Sequence, residues 1–324
     1  MLEIRKVKYE EFDELMEVMN ASFNFKKNKD KFEHILPKLY FKDNDKMIHI
    51  GAFEDGKLVS SIGLYLMDFV REDKILHTAC VGAVSTHPEH RNKGYFSKVI
   101  TRILEEANNM NLDMLFLGGN RTRYGRYGFE NCGRNIFFGL DRRMIYKLED
   151  LPFEVIKLNR KNVKVTKKLY DMYNKQEIRI KRNFDEFYTV LLSWNCTPYY
   201  VTYNGKIVGY FTLSEEEVHE LIYNCKIDIM FRAILSLRND VSIHMPFEKY
   251  DEIVDKCDWY TISENHMFNI LNEEKVIDFL GGDVKMLDSI KQYDKLKRAR
   301  LILGDCAKDS ITGHNIYMND TSAG

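Results

Sequence analysis

The residues with the clearest chemical potential lie in two short stretches. The first is 81–97, Val-Gly-Ala-Val-Ser-Thr-His-Pro-Glu-His-Arg-Asn-Lys-Gly-Tyr-Phe-Ser, where an apolar run gives way to a polar turn. Beyond the turn, Phe96, Val99, Ile100, Ile103, Leu104 and Ala107 recur at the three-and-four spacing of a helix with one buried face. A strand that turns sharply into a helix presents unpaired backbone N–H groups. The helix dipole adds partial positive charge at the same place, so such a junction welcomes an anion such as a pyrophosphate. Gly94 lets backbone approach that anion without an intervening Cβ, and Arg91 and Lys93 bring full charges. An ordinary solvated basic turn fits the same residues equally well. The second stretch is 123–130, Arg-Tyr-Gly-Arg-Tyr-Gly-Phe-Glu. A tyrosine there, with an ordinary pKa of roughly 10, is a proton donor at neutral pH. On the residues alone, a turn packed by aromatic rings carries more weight.

The rest of the chain must supply elements that hold these stretches. Residues 2–6 read as a strand, and Phe12, Leu15, Met16, Met19 and Phe23 as a helical stripe. Glu10, Glu11, Asp13 and Glu14 sit near that helix's start, where the dipole favours them. Residues 24–46, rich in Lys, Asp and Asn, read as a solvent-facing helix and loop. Strands at 49–53 and 58–67 meet through Asp55-Gly56, a strong hairpin signal. The strand into the basic turn runs from about 75 to 84, and 113–117 is a compact buried strand ending at Gly118-Gly119-Asn120. This order is that of a mixed α/β layer with a central sheet.

Residues 199–213 repeat the organisation of 49–66, with Gly56-Lys57 and Gly205-Lys206 in matching places and Asn204-Gly205 as a second hairpin turn. A strand at 218–223, a helix stripe of Ile227, Met230, Phe231, Ile234 and Leu235, and a strand from Val241 follow. The junction at 223–227 has no Arg-x-x-Gly, so this second copy reads as structural. Coincidence of two hairpins is the competing reading.

At 324 residues the chain can hold two domains, and 44% apolar with 13% aromatic residues is a globular composition. With 48 basic and 49 acidic side chains, no global attraction to nucleic acid or an anionic membrane is expected. The six cysteines are scattered without Cys-x-x-Cys, and no histidine cluster stands at metal spacing, so reduced thiols and no metal are expected. No apolar leader or membrane-length apolar run is present, so a soluble cytoplasmic protein is the expectation.

The apolar strand, Pro88, Arg91-x-x-Gly94 and helix together resemble motif A of the GNAT N-acetyltransferase superfamily. The resemblance implies acetyl-CoA as co-substrate. It implies that the strand edge at Val84, Ser85 and Thr86 holds the pantetheine arm and polarises the thioester oxygen. Arg91, Asn92, Lys93, Gly94, Tyr95, Phe96 and Ser97 then take the pyrophosphate, and Asn120 contacts CoA. Phe96 stands where that superfamily usually has Gly or Ala. The Tyr-Gly-Arg-Tyr-Gly-Phe segment is similar to that of the Eis (enhanced intracellular survival) type, whose first tyrosine is the general acid. That role falls on Tyr124, while Tyr127 matches a packing aromatic.

The same type pairs an active lobe with a degenerate one. It implies a catalytic domain at 1–150, a degenerate GNAT-like domain at 151–265 and a short C-terminal element at 266–324. Only 58 residues follow His266, too few for that type's sterol-carrier-like third lobe, and the polar tail from 304 is expected to be poorly ordered. The type uses its C-terminal carboxylate as base, a role not carried over to Gly324. Glu130, His77, His87 and a relayed water stay open for that part, and the region at 24–46 borders the acceptor site in the superfamily. The function implied is acetyl transfer from acetyl-CoA to a primary amine on a small molecule or peptide. Homo-oligomers are common in the resembled family. Two alternatives remain: a tandem-lobe aminoacyl transferase using charged tRNA, and a non-catalytic CoA-binding module.

Overall fold

The computed structural model of the chain describes residues 1–25, 31–40, 44, 46–264, 266–305, 308, 310–314 and 316. The first half runs β1 (Leu2–Lys6), α1 (Phe12–Ser22), α2 (Phe32–Ile35), β2 (Met47–Glu54) and β3 (Lys57–Leu66). In the β2–β3 turn Asp55 and Gly56 take φ of 52° and 82°, the left-handed pair that a two-residue hairpin needs. Then come β4 (Phe69–Arg71), β5 (Lys74–Leu76), β6 (Thr78–Thr86), α3 (Tyr95–Asn109) and β7 (Met114–Leu117). A short α4 (Arg121–Tyr124) leads to β8 (Glu130–Cys132) and β9 (Asn135–Asp141).

The second half repeats the plan. It opens with β10 (Glu154–Lys157), α5 (Val163–Tyr173), β11 (Ile178–Ile180) and α6 (Phe184–Val190). The hairpin of β12 (Thr197–Tyr203) and β13 (Lys206–Leu213) turns through Asn204 and Gly205, at φ 51° and 73°. Next are β14 (Glu217–Tyr223), α7 (Ile227–Leu237), β15 (Asp240–Pro246), α8 (Tyr250–Ile253) and β16 (Trp259–Ser263). The chain then adds β17 (His266–Ile270), α9 (Glu273–Phe279) and α10 (Lys295–Leu303).

Among the described residues these strands form two sheets of seven, β1-β2-β3-β6-β7-β17-β8 and β10-β12-β13-β14-β15-β9-β16. Each contains one parallel pair, β6 with β7 and β14 with β15, bridged by α3 or α7. The fold is therefore the mixed α/β arrangement expected, with two separate sheets of like plan. The helix α3 is held by its apolar face: Val99, Ile100 and Ile103 are buried in one cluster with Leu64, Ala79 and Leu115 of the first sheet. Each such side chain contributes about 1.5–3 kcal/mol.

Three expectations need correction. Boundaries at 150/151 and 265/266 do not follow the sheets, because β9 lies in the second sheet between β15 and β16, and β17 lies in the first between β7 and β8. Alternating apolar residues identify a strand but not its sheet, and a gap between two strands offers ladder partners on both sides. Residues after 266 are likewise no separate element, since Val276, Ile277, Phe279, Ile302 and Leu303 are buried with Met16, Phe116 and Phe268 in one core. The stretch at 24–46 is not solvent-facing where described: Phe32, Ile35, Leu36, Leu39 and Tyr40 are buried. They stand at the i, i+3, i+4, i+7, i+8 spacing of an apolar helical face, masked in the sequence by Lys-rich neighbours.

Residues 26–30, 41–43 and 45 of that stretch lie outside the described residues. Of the tail, Gly304 accepts from Gly133 N at 2.9 Å and Ile311 N donates to Leu301 O at 2.8 Å, while 317–324, with the Gly324 carboxylate, lie outside them. A third small sheet, β11-β4-β5, ties the halves together again. Cys80, Cys132, Cys196 and Cys257 are buried, Cys225 is half-buried, and Cys306 is outside the described residues. Among the described residues, no helix is long and apolar enough to cross a membrane.

Candidate active site

The strand β6 leaves its ladder with β3 just before the basic turn. Ser61 stands opposite Ser85 and Gly63 opposite Gly82, so β6 carries one residue more than its partner across this interval. Ala83 takes φ 46°, a left-handed conformation costly for a residue with a Cβ. Such a bulge kinks a strand and re-aims its backbone groups. The turn continues through Pro88–His90, Asn92 at φ 65° and Gly94 at φ 76°, and α3 starts with no capping side chain and no acid in its first turn. Its first N–H groups therefore receive no cap from the N-cap residue, Gly94.

The charges of this turn are partly engaged within the chain. Arg91 Nη2 donates to Ser22 O at 3.0 Å, and Lys93 Nζ pairs with Glu54 Oε2 at 3.0 Å. Hydrogen bonds from Tyr95 Oη at 2.6 Å, from Lys93 and from His90 hold the Glu54 carboxyl down at about 2. Glu54 thus stays ionised at neutral pH and offsets one of the two cations expected there.

Tyr124 is placed by a short relay of local contacts. Asn120 Oδ1 accepts from Thr122 N at 2.8 Å, capping the turn of α4 that ends in Tyr124. The tyrosine ring is buried, edge-on to Phe96 at 5.8 Å and to Phe129 at 6.2 Å. Gly119 has to be glycine, because a Cβ there would come within 2.6 Å of Tyr124 Cε2. Burial raises the Tyr124 pKa and Arg123 pulls it partly back, so the hydroxyl keeps its proton at neutral pH. Phe96, the departure from motif A, meets Tyr124 and, at 5.7 Å, Tyr127. The ring that replaces a small residue therefore props the tyrosine. From β17, Asn269 Nδ2 donates to Tyr127 O at 2.9 Å, so the exchanged strand pins the same loop.

A cavity of about 1110 Å³ joins the two features. Its walls include Val84, Thr86, Arg91, Asn92, Lys93 and Gly94, with Tyr95, Phe96, Ser97, Asn120 and Tyr124. Ser85 is the exception among the expected residues. It is buried, its hydroxyl donates to Ala83 O at 2.8 Å, and it is not in the wall. Thr86 N donates to Ser22 Oγ at 3.1 Å, which leaves the bulge at Ala83 and Val84 as the out-of-ladder part of the strand edge.

Sequence reasoning missed Ala83, Phe23, Phe32, Leu36 and Cys80, and all three wall residues from beyond the first half: Trp194, His219 and His266. Trp194 and Asn195 sit at φ 60° and 58°, consecutive left-handed non-glycine residues. Only a polar composition hid Phe32 and Leu36, whereas nothing local marks Trp194. Burial lowers His219 to about 4 and His266 to about 4, His244 adding to both, so both imidazoles are neutral at pH 7.

The base candidates fare unequally. Glu130 is 1% exposed and takes two hydrogen bonds from Arg121, at 2.6 and 2.8 Å. His77 pairs with Asp68 at 3.0 Å. Neither they nor His87 line the cavity. His87, Glu89 and His90 do bring three potential ligand atoms within 4.8 Å of one another, adding a carboxylate that the sequence reading of this turn had not counted.

Residues 3–132 match the family model described as an acetyltransferase (GNAT) domain. No curated protein matches the chain. Among solved structures, a protein of Enterococcus faecalis V583 described as a probable N-acyltransferase superposes with TM-score 0.69 at 15% identity, over 86% of this chain and 74% of that one. A GCN5-related N-acetyltransferase from Anabaena variabilis ATCC 29413 gives 0.66 at 15% identity, over 86% and 74%. Eis1 from Mycobacterium abscessus gives 0.62 at 14%, over 86% and 76%. At such identities the likeness is one of fold, and the fold is that of the GNAT acetyltransferases across both sheets.

Proposed function

We propose that the chain is an acetyl-CoA-dependent N-acetyltransferase whose first lobe holds the donor and whose Tyr124 protonates the departing thiolate. One observation carries this reading: the uncapped N-terminus of α3 and the buried Tyr124 ring open into the same cavity, with Phe96 touching the tyrosine from the helix. The donor fits the residues present. A Cβ at Gly94 would meet nothing within 4 Å, so there is open space where a pyrophosphate would approach the helix N–H groups and Arg91.

Acetyl-CoA supplies an acyl group activated as a thioester. The chain's own part is to position and to move a proton. Ala83 and Val84, out of the ladder and in the cavity wall, have backbone groups that can orient the arm and polarise a carbonyl oxygen. In the transfer the amine nitrogen bonds to the carbonyl carbon and the C–S bond breaks. Sulfur takes a proton from Tyr124, and the surplus proton on nitrogen leaves to water. Tyr124 regains its proton from solvent. Because Glu130 and His77 are tied up elsewhere and away from the wall, water is the proton acceptor best supported.

In this reading the catalytic unit is the stretch 1–150 completed by β17, the second lobe is degenerate, and the acceptor is a small-molecule or peptide amine. The solved proteins of like fold described as N-acetyltransferases support it. Calorimetry with acetyl-CoA, followed by thiol release in the presence of amines, tests it. Micromolar binding with amine-dependent thiol release is expected; absence of acetyl-CoA binding at millimolar concentration would sink it.

A further inference from the structure

The far end of the cavity has a composition that the donor does not explain. Cys80 lies six residues before Thr86 on β6, roughly 20 Å along an extended strand and so beyond the reach of the phosphate turn. Around that end stand Phe32 from α2 and Leu36 just after it, His266 from β17, and Trp194 and His219 from the second lobe. Phe23 adds a partly exposed ring, packed edge-on against Phe32 at 4.9 Å. Among the described residues, the cavity wall contains no Asp or Glu. Trp194 reaches the wall on a backbone held at φ 60°, a strain that persists only where its surroundings impose it.

We propose that the acceptor is an amine carried on an apolar, aromatic body, selected by Trp194 of the second lobe together with Phe23, Phe32 and Leu36. The inference rests on the N-acetyltransferase reading and narrows its substrate. A monoamine enters as the free base and buries its carbon body against these rings. A polyamine or aminoglycoside would carry further ammonium groups into a wall whose described residues include no carboxylate to compensate their lost hydration. His219 and His266, neutral at pH 7, can accept a hydrogen bond from the amine without adding charge.

The test compares 2-phenylethylamine, spermidine and kanamycin as acceptors in a thiol-release assay on the full chain, with acetyl-CoA affinity measured separately. The expected result is a kcat/KM for 2-phenylethylamine at least roughly tenfold above either polycation, in line with what a well-fitted apolar pocket discriminates. Trp194→Ala should raise the KM for 2-phenylethylamine about tenfold with acetyl-CoA affinity unchanged, and Trp194→Phe should recover most of that loss. Phe23→Glu, at an exposed ring that a carboxylate can replace without unfolding, should improve spermidine relative to 2-phenylethylamine. Equal or better use of the polycations by the unaltered chain, or a Trp194→Ala KM unchanged from it, overturns the proposal while leaving acetyl transfer standing. Failure to bind acetyl-CoA, or binding without turnover of any amine, overturns both.

Discussion

The two strand-to-helix junctions, β6–α3 and β14–α7, share a plan and differ in what sits at the helix start. In the first, eight residues separate strand from helix, Gly94 is the N-cap at φ 76°, and no side chain caps α3. In the second, three residues suffice, and Asp228 in the first turn of α7 is buried. Its carboxylate accepts from Glu149 N at 2.9 Å and pairs with Lys256. Burial alone would raise the Asp228 pKa, but Lys256 and the Glu149 N–H outweigh it and hold the carboxyl below its ordinary value. The second helix has an anion of its own at its positive end, where the first has room for one from outside. The short helix after each parallel strand differs in the same sense, ending in buried Tyr124 in one lobe and buried Ile253 in the other. One fold thus supports an open junction and a sealed one, and the distinction comes down to a few side chains.

The sharpest way to break this contrast is to remove the proposed acid from the open side. Tyr124→Phe should lower kcat by about 10²–10⁴, the usual range for a general acid, with acetyl-CoA affinity nearly intact by calorimetry. A variant with full kcat would show that the thiolate finds its proton elsewhere. Next, Gly94→Glu imports the carboxylate logic of the second junction into the first, and a roughly hundredfold or greater loss of acetyl-CoA affinity is expected, about 2.7 kcal/mol. Gly94→Ala separates strain from charge, since a Cβ alone meets nothing there and φ 76° is the only penalty. An alanine variant as defective as the glutamate one would assign the effect to backbone strain.

Unplugging the sealed side should leave chemistry untouched. Asp228→Ala strands the Glu149 N–H and Lys256, and is expected to cost about 1–3 kcal/mol of stability with unchanged kcat and acetyl-CoA affinity. A thermal melt and a kinetic assay on one preparation decide it. Acid tests the fold of both lobes and not either junction. His49, buried in the first lobe, is lowered to about 3, and His219, His244 and His266 to about 4, each chiefly by burial. The unfolded chain takes up these protons near pH 6.5 and the folded chain does not, so stability is full above that and falls as pH drops toward 4. A Tm that rose or stayed level from pH 7 to 5 would contradict those shifts.

What the sequence made legible was whatever depends on neighbours in the chain. Asp55-Gly56 and Asn204-Gly205 both turn in left-handed pairs as their residue types require, and the Arg91-x-x-Gly94 turn leads into α3 at Tyr95. Eleven of the twelve expected site residues share one cavity for the same reason, because they lie on two short continuous stretches. Ser85 fell outside because the bulge at Ala83 alters which side chains face outward, and it is Ala83, not the neighbouring Gly82, that takes the left-handed conformation. His219 and His266 were illegible because they reach the wall through the pairing of distant strands, and Trp194 because it comes on a turn packed against α2. The pattern of 135–141 or 266–270 says strand and nothing about which sheet it joins.

The exchanged strands also set a timetable for the newborn chain. β7 emerges from the ribosome long before β17, the neighbour it needs on its open side. At translation rates of about 5–20 residues per second, the intervening 150 or so residues take roughly 7 to 30 s to make. Through that interval the first sheet exposes the edge of β7, a run of four buried-type residues, Met114, Leu115, Phe116 and Leu117, with nothing to pair. Such an edge is a template for misassembly, and a chaperone or slow collapse must shield it. A truncated first lobe, however complete its motif, would keep that edge open for good.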